Sequence, residues 1–357
     1  MDNGKAFDPR FTGTQEVRDQ HRFDVARLES WLTDRLEGFR GPLRVSEFKG
    51  GQSNPTYQLE SPSGAWVLRR KPPGKLLKSA HAVDREYRAM AGLNRIDFPV
   101  PRAHLLCEDP EVIGTAFYVM ERVEGRVIWN PLLPGFSREE RRGIYESRVD
   151  VLARLHLADY AALGLAEFGR PGNYFARQIS RWSKQYVASE TESIPEMDRL
   201  MEWLPQNIPP DDSVCLVHGD YQLANMITHP TAPRIEAGID WELATIGHPR
   251  GDATYHIASR HWPTSEFNGI SDSELRELGI LTESEWVNAY CERTGRDGIP
   301  GLDFYFAYNL FRNACIDQGI VGRIRDGTAS SAHAEQSIAK VRPLAEGAYE
   351  FVRKLGA

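Results

Sequence analysis

The feature that most constrains the fold is a change of hydrophobic pattern along the chain. Between residues 43 and 70 the segments LRVSEF, TYQLE and AWVLRR are short, rich in β-branched and aromatic residues, and separated by GGQSNP and SPSG. Such runs predict antiparallel strands joined by tight turns. A helix is expected over residues 82–96, and two more strands near 103–108 and 116–121 complete the predicted sheet.

Beyond Val127 the pattern becomes mainly helical. Long helices are expected over 303–322 and 331–354. Two helix starts carry the capping-box pattern, in which a hydroxyl residue and a Glu three positions later bond each other's backbone. These are Ser137 with Glu140 and Thr282 with Glu285. The sequence therefore predicts an α+β fold of two lobes, an N-terminal antiparallel sheet lobe with one inserted helix and a mainly helical C-terminal lobe.

The expected domain organisation follows from this change of pattern. An N-terminal extension, 1–40, contains an amphipathic helix over 24–36, and the sheet lobe spans 41–121. A polar, glycine-containing hinge is expected at 122–126, and the helical lobe spans 127–357.

Composition excludes several classes of protein. The chain has 357 residues, and 43 basic against 50 acidic side chains give a net charge of −7 without a basic cluster, which argues against a nucleic-acid partner. No apolar run approaches the roughly 20 residues that a membrane span needs, and MDNGKAFDPR does not resemble a secretory signal. The 4 cysteines form no CxxC pair. A soluble cytoplasmic protein with reduced thiols and no membrane partner is expected.

The most informative segment is VHGDYQLAN, residues 217–225, followed by IDWE at 239–242. It has a carboxylate on a loop (Asp220), an amide oxygen five residues later (Asn225) and a second carboxylate after an apolar strand (Asp240). This set suits phosphoryl transfer, which needs a group that orients the attacking hydroxyl and oxygen ligands for Mg²⁺.

The pattern HGDxxxxN followed by IDWE resembles the aminoglycoside phosphotransferase superfamily, whose members share the protein-kinase-like fold. FKGGQSNPTYQL, VLRRKPPG, FYVMERVEGRV and IGHPRGD add a closer similarity to the kinase-like domains fused to acyl-CoA dehydrogenases and their stand-alone bacterial relatives. The resemblance implies ATP and Mg²⁺ as cofactors. It makes Asp220 the catalytic residue and Asn225 and Asp240 the metal ligands.

The same resemblance implies a nucleotide site in the sheet lobe. Arg69 stands where many such kinases have lysine and would contact the phosphates, with Glu86 as its helical partner and Lys71 as the alternative cation. Backbone groups of the hinge at Glu121 and Val123 would meet the purine. The turn between the first two strands would approach the phosphates through Gly50, Gly51, Gln52, Ser53 and Asn54.

The remaining candidates support or extend this site. His218 and Asp252 are expected to brace the catalytic loop. The segment 303–325 holds Asp303 and Asp317 against three arginines, a balance that favours a neutral or anionic acceptor over a polycationic one. The arginines proposed for the acceptor side are Arg312, Arg323 and Arg325.

The sequence thus predicts an ATP-dependent phosphotransferase acting on a hydroxyl of a small molecule. The resemblance favours a hydroxy acid or hydroxyacyl-CoA as acceptor. Two alternatives stay open, a catalytically inactive nucleotide-binding module and an aminoglycoside-modifying resistance enzyme. The full set of Asp220, Asn225 and Asp240 argues against the inactive module, because such modules usually lose these groups.

Overall fold

An antiparallel sheet dominates the N-terminal part of the structure, a computed structural model that describes residues 12–49, 54–72, 82–262, 265–325 and 334–356. Six strands form it: β1 (Thr14–Gln15), β2 (Arg44–Phe48), β3 (Thr56–Ser61), β4 (Gly64–Arg70), β5 (Ala103–Cys107) and β6 (Phe117–Glu121). Their order is β1-β2-β3-β4-β6-β5 and every neighbouring pair is antiparallel. The predicted strands are therefore confirmed, and β1 is an additional strand at one edge.

This part has three described helices, of which the first two lie close to their predicted positions and the third, a single turn, was not predicted. They are α1 (Val25–Thr33), α2 (Val83–Leu93) and α3 (Pro110–Ile113). α1 begins where the Asp24 carboxylate accepts the Arg27 backbone N–H at 2.9 Å, an ordinary N-cap. α2 ends three residues earlier than predicted, shortly before two X-Pro steps whose sterics disfavour helix.

The sheet and α1 share one hydrophobic core. Leu28 and Leu32 on α1 are fully buried, as are Tyr57 and Leu59 on β3 and Leu68 on β4. Burying one such side chain contributes about 1.5–3 kcal/mol, so this interface makes α1 part of the sheet's own core. β4, which lies between β3 and β6 in the sheet, therefore packs into this core.

Two small sheets frame the segments that carry the sequence motifs. β7 (Arg126–Val127), β9 (Met226–Thr228) and β10 (Ile235–Gly238) form the first, in the order β10-β9-β7. β8 (Cys215–Val217) pairs antiparallel with β11 (Thr245–Gly247) in the second. Pairing between these short strands fixes the ends of the loops that connect them.

The rest of the described chain is helical, as predicted. Its helices are α4 (Arg138–Leu157), α5 (Tyr174–Ser189), α6 (Pro195–Gln206), α7 (Pro249–Ala258), α8 (Asp272–Leu278), α9 (Glu283–Thr294), α10 (Leu302–Arg325) and α11 (Ala334–Lys354). Both predicted capping boxes are confirmed. α10 packs against α5, α7 and α11, which explains why most of its residues are buried. Among the described helices, none has the length and apolar character that crossing a membrane requires.

The chain divides into two compact units. The first comprises Met1–Val151, Asp159–Phe168 and Leu223–Ala244; the second comprises Leu152–Ala158, Gly169–Gln222 and Thr245–Ala357. The α+β class is confirmed. The boundaries 1–40, 41–121, 122–126 and 127–357 stay a prediction.

Candidate active site

Arg69 is the centre of a buried ion-pair cluster in the first unit. β4 directs its side chain inward, where only 7% of the residue is exposed. Its Nε lies 3.2 Å from Glu86 Oε2, and its Nη2 donates to Asp240 Oδ1 at 2.6 Å. Glu242 Oε2 lies further away, at 3.9 Å. Burial opposes the charge, but Asp240 and Glu86 raise the pKa of Arg69 well above its usual value. The guanidinium thus links two predicted site carboxylates at once.

Glu86 is held from three sides. It is fully buried, Asn54 Nδ2 donates to its Oε1 at 2.8 Å, and the Tyr118 hydroxyl donates to its Oε2 at 3.1 Å. Burial raises the pKa of Glu86, and the adjacent Arg69 opposes that rise. Because both oxygens already have donors, Glu86 acts as a fixed counter-ion that orients Arg69.

Asp240 lies where β10 gives way to a 3₁₀ turn, Trp241–Leu243. Its φ of 67° lies in the left-handed region, which aspartate tolerates better than most residues. The preceding residue, Ile239, donates its N–H to the Asn225 carbonyl at 2.9 Å. The structure therefore brings the two predicted metal ligands, Asn225 and Asp240, to adjacent backbone positions.

The carboxylates of this cluster have the donor chemistry that Mg²⁺ prefers. Oxygens of Glu86, Asp240 and Glu242 lie within 4.8 Å of one another. Since Glu86 is already occupied by protein donors, Asp240 and Glu242 are the carboxylates suited to a metal, with the Asn225 amide oxygen as a neutral third donor. Hard oxygen ligands of this kind fit Mg²⁺.

The other predicted nucleotide contacts are only partly described. Gly50, Gly51, Gln52 and Ser53 lie outside the described residues. Lys71 Nζ is 3.8 Å from Asp84 Oδ1, away from the ion-pair cluster. At the predicted hinge, the Glu121 N–H donates to the Arg102 carbonyl at 2.8 Å, and Val123 is half-buried. These assignments stay a prediction.

The second unit contains the loop with the predicted catalytic aspartate, directly after β8. The Asp252 carboxylate accepts the backbone N–H groups of His218 at 2.5 Å and Gly219 at 2.8 Å. Burial would raise the pKa of Asp252, but the nearby His156 ring, whose Nε2 lies 3.6 Å from Asp252 Oδ2, and the Gly219 N–H hold that pKa below its usual value. Gly219 has a φ of 82°, a conformation that glycine adopts without strain. Asp252 thus braces the loop through its backbone.

Asp220 itself is half-buried and keeps contact with solvent. Gln222 Nε2 donates to its Oδ2 at 3.0 Å, and its own backbone N–H donates to His218 Nδ1 at 3.3 Å. Burial and the negative charge of Asp220 raise the pKa of the Tyr255 hydroxyl well above its ordinary value, and that hydroxyl donates to Asn313 Oδ1 at 3.3 Å. The Asp220 carboxylate is therefore oriented but still accessible.

Arg312 contacts the same loop from α10. Only 5% of it is exposed, its Nη2 donates to the Gly219 carbonyl, and its guanidinium lies 5.1 Å from the Tyr255 ring centre. Arg323 and Arg325 lie instead in the last turn of α10, where both are exposed. Of the three arginines predicted for the acceptor side, Arg312 is the one beside Asp220.

Sequence reasoning missed several members of this arrangement. Glu242 had a signal, because it stands two residues after Asp240 in IDWE. No sequence signal pointed to Tyr118, Trp182 or Tyr255, because their positions in the site follow from packing between distant segments.

Comparison with known proteins agrees with this geometry. Residues 44–304 match the model of the phosphotransferase enzyme family. The chain is 42% identical to acyl-CoA dehydrogenase family member 11 of Rattus norvegicus over 348 residues, which is 96% of this chain but 45% of that protein. The chain thus spans less than half the length of that curated relative.

Solved structures give the same result. A protein of Ralstonia eutropha, provisionally assigned as an aminoglycoside phosphotransferase, is 50% identical, with a TM-score of 0.84 over 93% of this chain and 99% of that one. Choline kinase of Cryptosporidium parvum, at 12% identity, covers 93% of this chain and 97% of its own with a TM-score of 0.61, a similarity of fold alone. The predicted kinase-like fold and phosphotransferase class are confirmed, and the chain belongs to the phosphotransferase enzyme family.

Proposed function

We propose that this chain transfers the γ-phosphoryl group of Mg²⁺-ATP to a hydroxyl of a hydroxy acid or hydroxyacyl-CoA. The observation that carries the proposal is the buried Arg69 held between Glu86 and Asp240. A guanidinium fixed in this way offers further N–H donors to a polyphosphate without losing its own orientation.

In this mechanism Asp220 orients the acceptor hydroxyl towards the γ-phosphorus and accepts its proton. A bond forms between the acceptor oxygen and the phosphorus as the bond to the β,γ-bridging oxygen breaks, and ADP leaves with that electron pair. Gln222, whose Nε2 donates to Asp220 Oδ2, orients the carboxylate for this task. Most of the rate enhancement then comes from positioning and from stabilising charge that develops in the transition state.

Asp240, Glu242 and Asn225 would hold the magnesium ion, which supplies positive charge to the phosphate oxygens. Their oxygens can serve because Arg69 donates to only one oxygen of Asp240, and the two oxygens of Glu86 already accept from Asn54 and Tyr118. Binding of a metal and nucleotide would therefore compete with the contact between Arg69 and Asp240. Arg69 would then release Asp240, stay oriented by Glu86, and offer the released N–H donor to the phosphates.

Two observations favour an acyl-type acceptor. The curated relative is named an acyl-CoA dehydrogenase, and this chain matches less than half of it. The charged side chains of α10 comprise three arginines and two aspartates. An acidic surface would bind a polycationic aminoglycoside more tightly than this one, so an anionic or neutral acceptor is preferred.

The test is acceptor-dependent ADP release with Mg²⁺-ATP, measured by a coupled assay. The acceptors are short hydroxy acids, their CoA thioesters, choline, sugars and kanamycin. Asp220→Asn removes the proposed proton acceptor at nearly constant size. Asp272→Asn, on the exposed start of α8, is the matched control.

We expect turnover with hydroxy acids or their thioesters that falls at least a hundredfold in Asp220→Asn and is unchanged in Asp272→Asn. Turnover with kanamycin alone would replace the proposed acceptor class. Full activity of Asp220→Asn would remove Asp220 from its assigned role.

A further inference from the structure

Arg312 is a buried cation whose charge the protein does not balance by direct pairing. It forms no ion pair among the described residues, in contrast to Arg69, and its hydrogen bond there is the one to the Gly219 carbonyl. A guanidinium carries five N–H donors, and a buried charge is costly unless it is paired. The environment of Arg312 therefore favours an anionic or strongly polar ligand.

The side chains that pack against the Arg312 guanidinium are aromatic. The Trp182 ring centre is 5.7 Å from the guanidinium carbon, and the Tyr255 ring centre is 5.1 Å away. Burial opposes its charge, but the neighbouring phenols of Tyr308, Tyr255 and Tyr174, with Asp220, raise the pKa of Arg312 above its usual value. Arg312 therefore stays charged among aromatic rings.

A second buried donor lies beside it. The indole Nε1–H of Trp182, on α5, has no hydrogen-bond partner among the described residues, although Trp182 is only 5% exposed. A buried N–H without an acceptor costs about 1–3 kcal/mol, so such groups in native proteins usually meet a ligand or an ordered water. Two independent observations, an unpaired cation and an unsatisfied donor, thus occur in one aromatic cluster.

This cluster adjoins the proposed catalytic aspartate within the second unit. Arg312 donates to the carbonyl of Gly219, the residue before Asp220, and its guanidinium carbon lies 5.1 Å from the ring centre of Tyr255. A ligand group bound at Arg312 is therefore close to a hydroxyl oriented by Asp220.

We propose that Arg312 and the indole N–H of Trp182 form a binding site for the acyl oxygen of the acceptor, either a free carboxylate or a thioester carbonyl. The inference rests on the proposed function and deepens it, because it states how the protein distinguishes an acyl acceptor from a simple alcohol. Arg312 supplies the charge and a directed N–H, and Trp182 supplies the second donor. Discrimination follows because an acceptor without an acyl oxygen leaves both donors unpaired.

The experiment compares a short hydroxy acid, its CoA thioester and the corresponding diol as acceptors in the ADP-release assay. Trp182→Phe keeps an aromatic ring against Arg312 and removes only the N–H. Trp203→Phe, on α6 of the same unit, is the matched control. Arg312→Lys keeps the charge but loses the planar fork.

We expect Trp182→Phe to raise the KM of the acyl acceptor roughly tenfold, with the KM of ATP and the diol kinetics unchanged. Arg312→Lys should raise the same KM and also lower kcat, because it disturbs Gly219. A large effect with the hydroxy acid alone identifies a carboxylate as the ligand; an equal effect with the thioester identifies the shared carbonyl oxygen.

An unchanged preference for the acyl acceptor over the diol in Trp182→Phe would overturn the inference and leave the proposed function intact. If no acceptor is phosphorylated, the proposed function fails. Calorimetric titration with the hydroxy acid, in wild type and Trp182→Phe holding a non-hydrolysable ATP analogue, then decides the binding site by itself: weaker binding to the variant supports it, and equal or absent binding refutes it.

Discussion

Removing the Arg69 charge should destabilise the protein through the carboxylate that it leaves behind. Arg69→Met keeps an unbranched apolar stem but leaves Glu86, which is fully buried, without its cation. Breaking a buried ion pair from one side typically costs about 3–5 kcal/mol. We expect a loss of about 4 kcal/mol in the free energy of unfolding.

The partner substitution should cost less, and the two should not add. Glu86→Gln leaves Arg69 paired with Asp240 at 2.6 Å, so we expect a loss of about 2 kcal/mol. In the double variant neither charge is stranded, and the loss should be about 3–4 kcal/mol rather than the sum of about 6 kcal/mol. The coupling energy of the pair is then about 2–3 kcal/mol.

Urea denaturation followed by circular dichroism at pH 7.5 measures all four proteins of this cycle. The matched control is the exposed pair of Arg142 and Glu146 on α4, 2.7 Å apart, with side chains 45% and 28% exposed. The same substitutions there should couple by about 0.5 kcal/mol or less. Additivity at Arg69 and Glu86 within 0.5 kcal/mol would refute the claim that burial makes this pair strong.

Three further outcomes follow from single side chains. Tyr118→Phe removes one of the donors to Glu86 and should raise the KM of ATP about fivefold in initial-rate assays, whereas a change below twofold would contradict an orienting role. Asp252→Asn replaces the carboxylate that accepts two backbone N–H groups of the loop with an amide. We expect urea denaturation to show a loss of about 3 kcal/mol in the free energy of unfolding, and we expect kcat to fall as well. A loss below about 1 kcal/mol would be inconsistent with a bracing role. Burial lowers the pKa of His248 in the folded protein to about 4. The unfolded chain, whose histidine has the ordinary pKa of about 6.5, therefore binds a proton at higher pH than the folded protein does. The free energy of unfolding should fall by up to about 3 kcal/mol as the pH drops from about 6.5 to 4. His248→Asn keeps an acceptor for the Arg250 N–H and should flatten this part of the stability curve; an unchanged slope would show that other groups cause it.

Much of the fold could be predicted because its signals are local. The alternation in TYQLE and AWVLRR encodes β3 and β4 in a few neighbouring residues, and Thr282 with Glu285 marks the start of α9 within one turn. The strand β1 was missed, because two residues carry no pattern and its pairing partner, β2, lies some thirty residues away.

The candidate site divides in the same way. The spacing of Asp220, Asn225 and Asp240 and the likeness of IDWE to a family motif indicated phosphoryl transfer, and a helical partner for Arg69 was expected at Glu86. The structure brings Arg69 and Glu86 together as expected. The roles of these residues in catalysis stay a prediction until the kinetic experiments are done.

Local sequence patterns are enough to predict the class of the fold, most element positions and the chemistry-bearing motifs, because strand alternation, caps and motif spacing depend on residues close along the chain. Three sets of contacts come from the packing of distant segments. They join Arg69 with Asp240, 171 residues away, Tyr118 and Asn54 with Glu86, and Arg312 with the rings of Trp182 and Tyr255. Such contacts depend on how sheets and helices pack, and no local pattern records which distant side chains a core will bring within hydrogen-bonding distance.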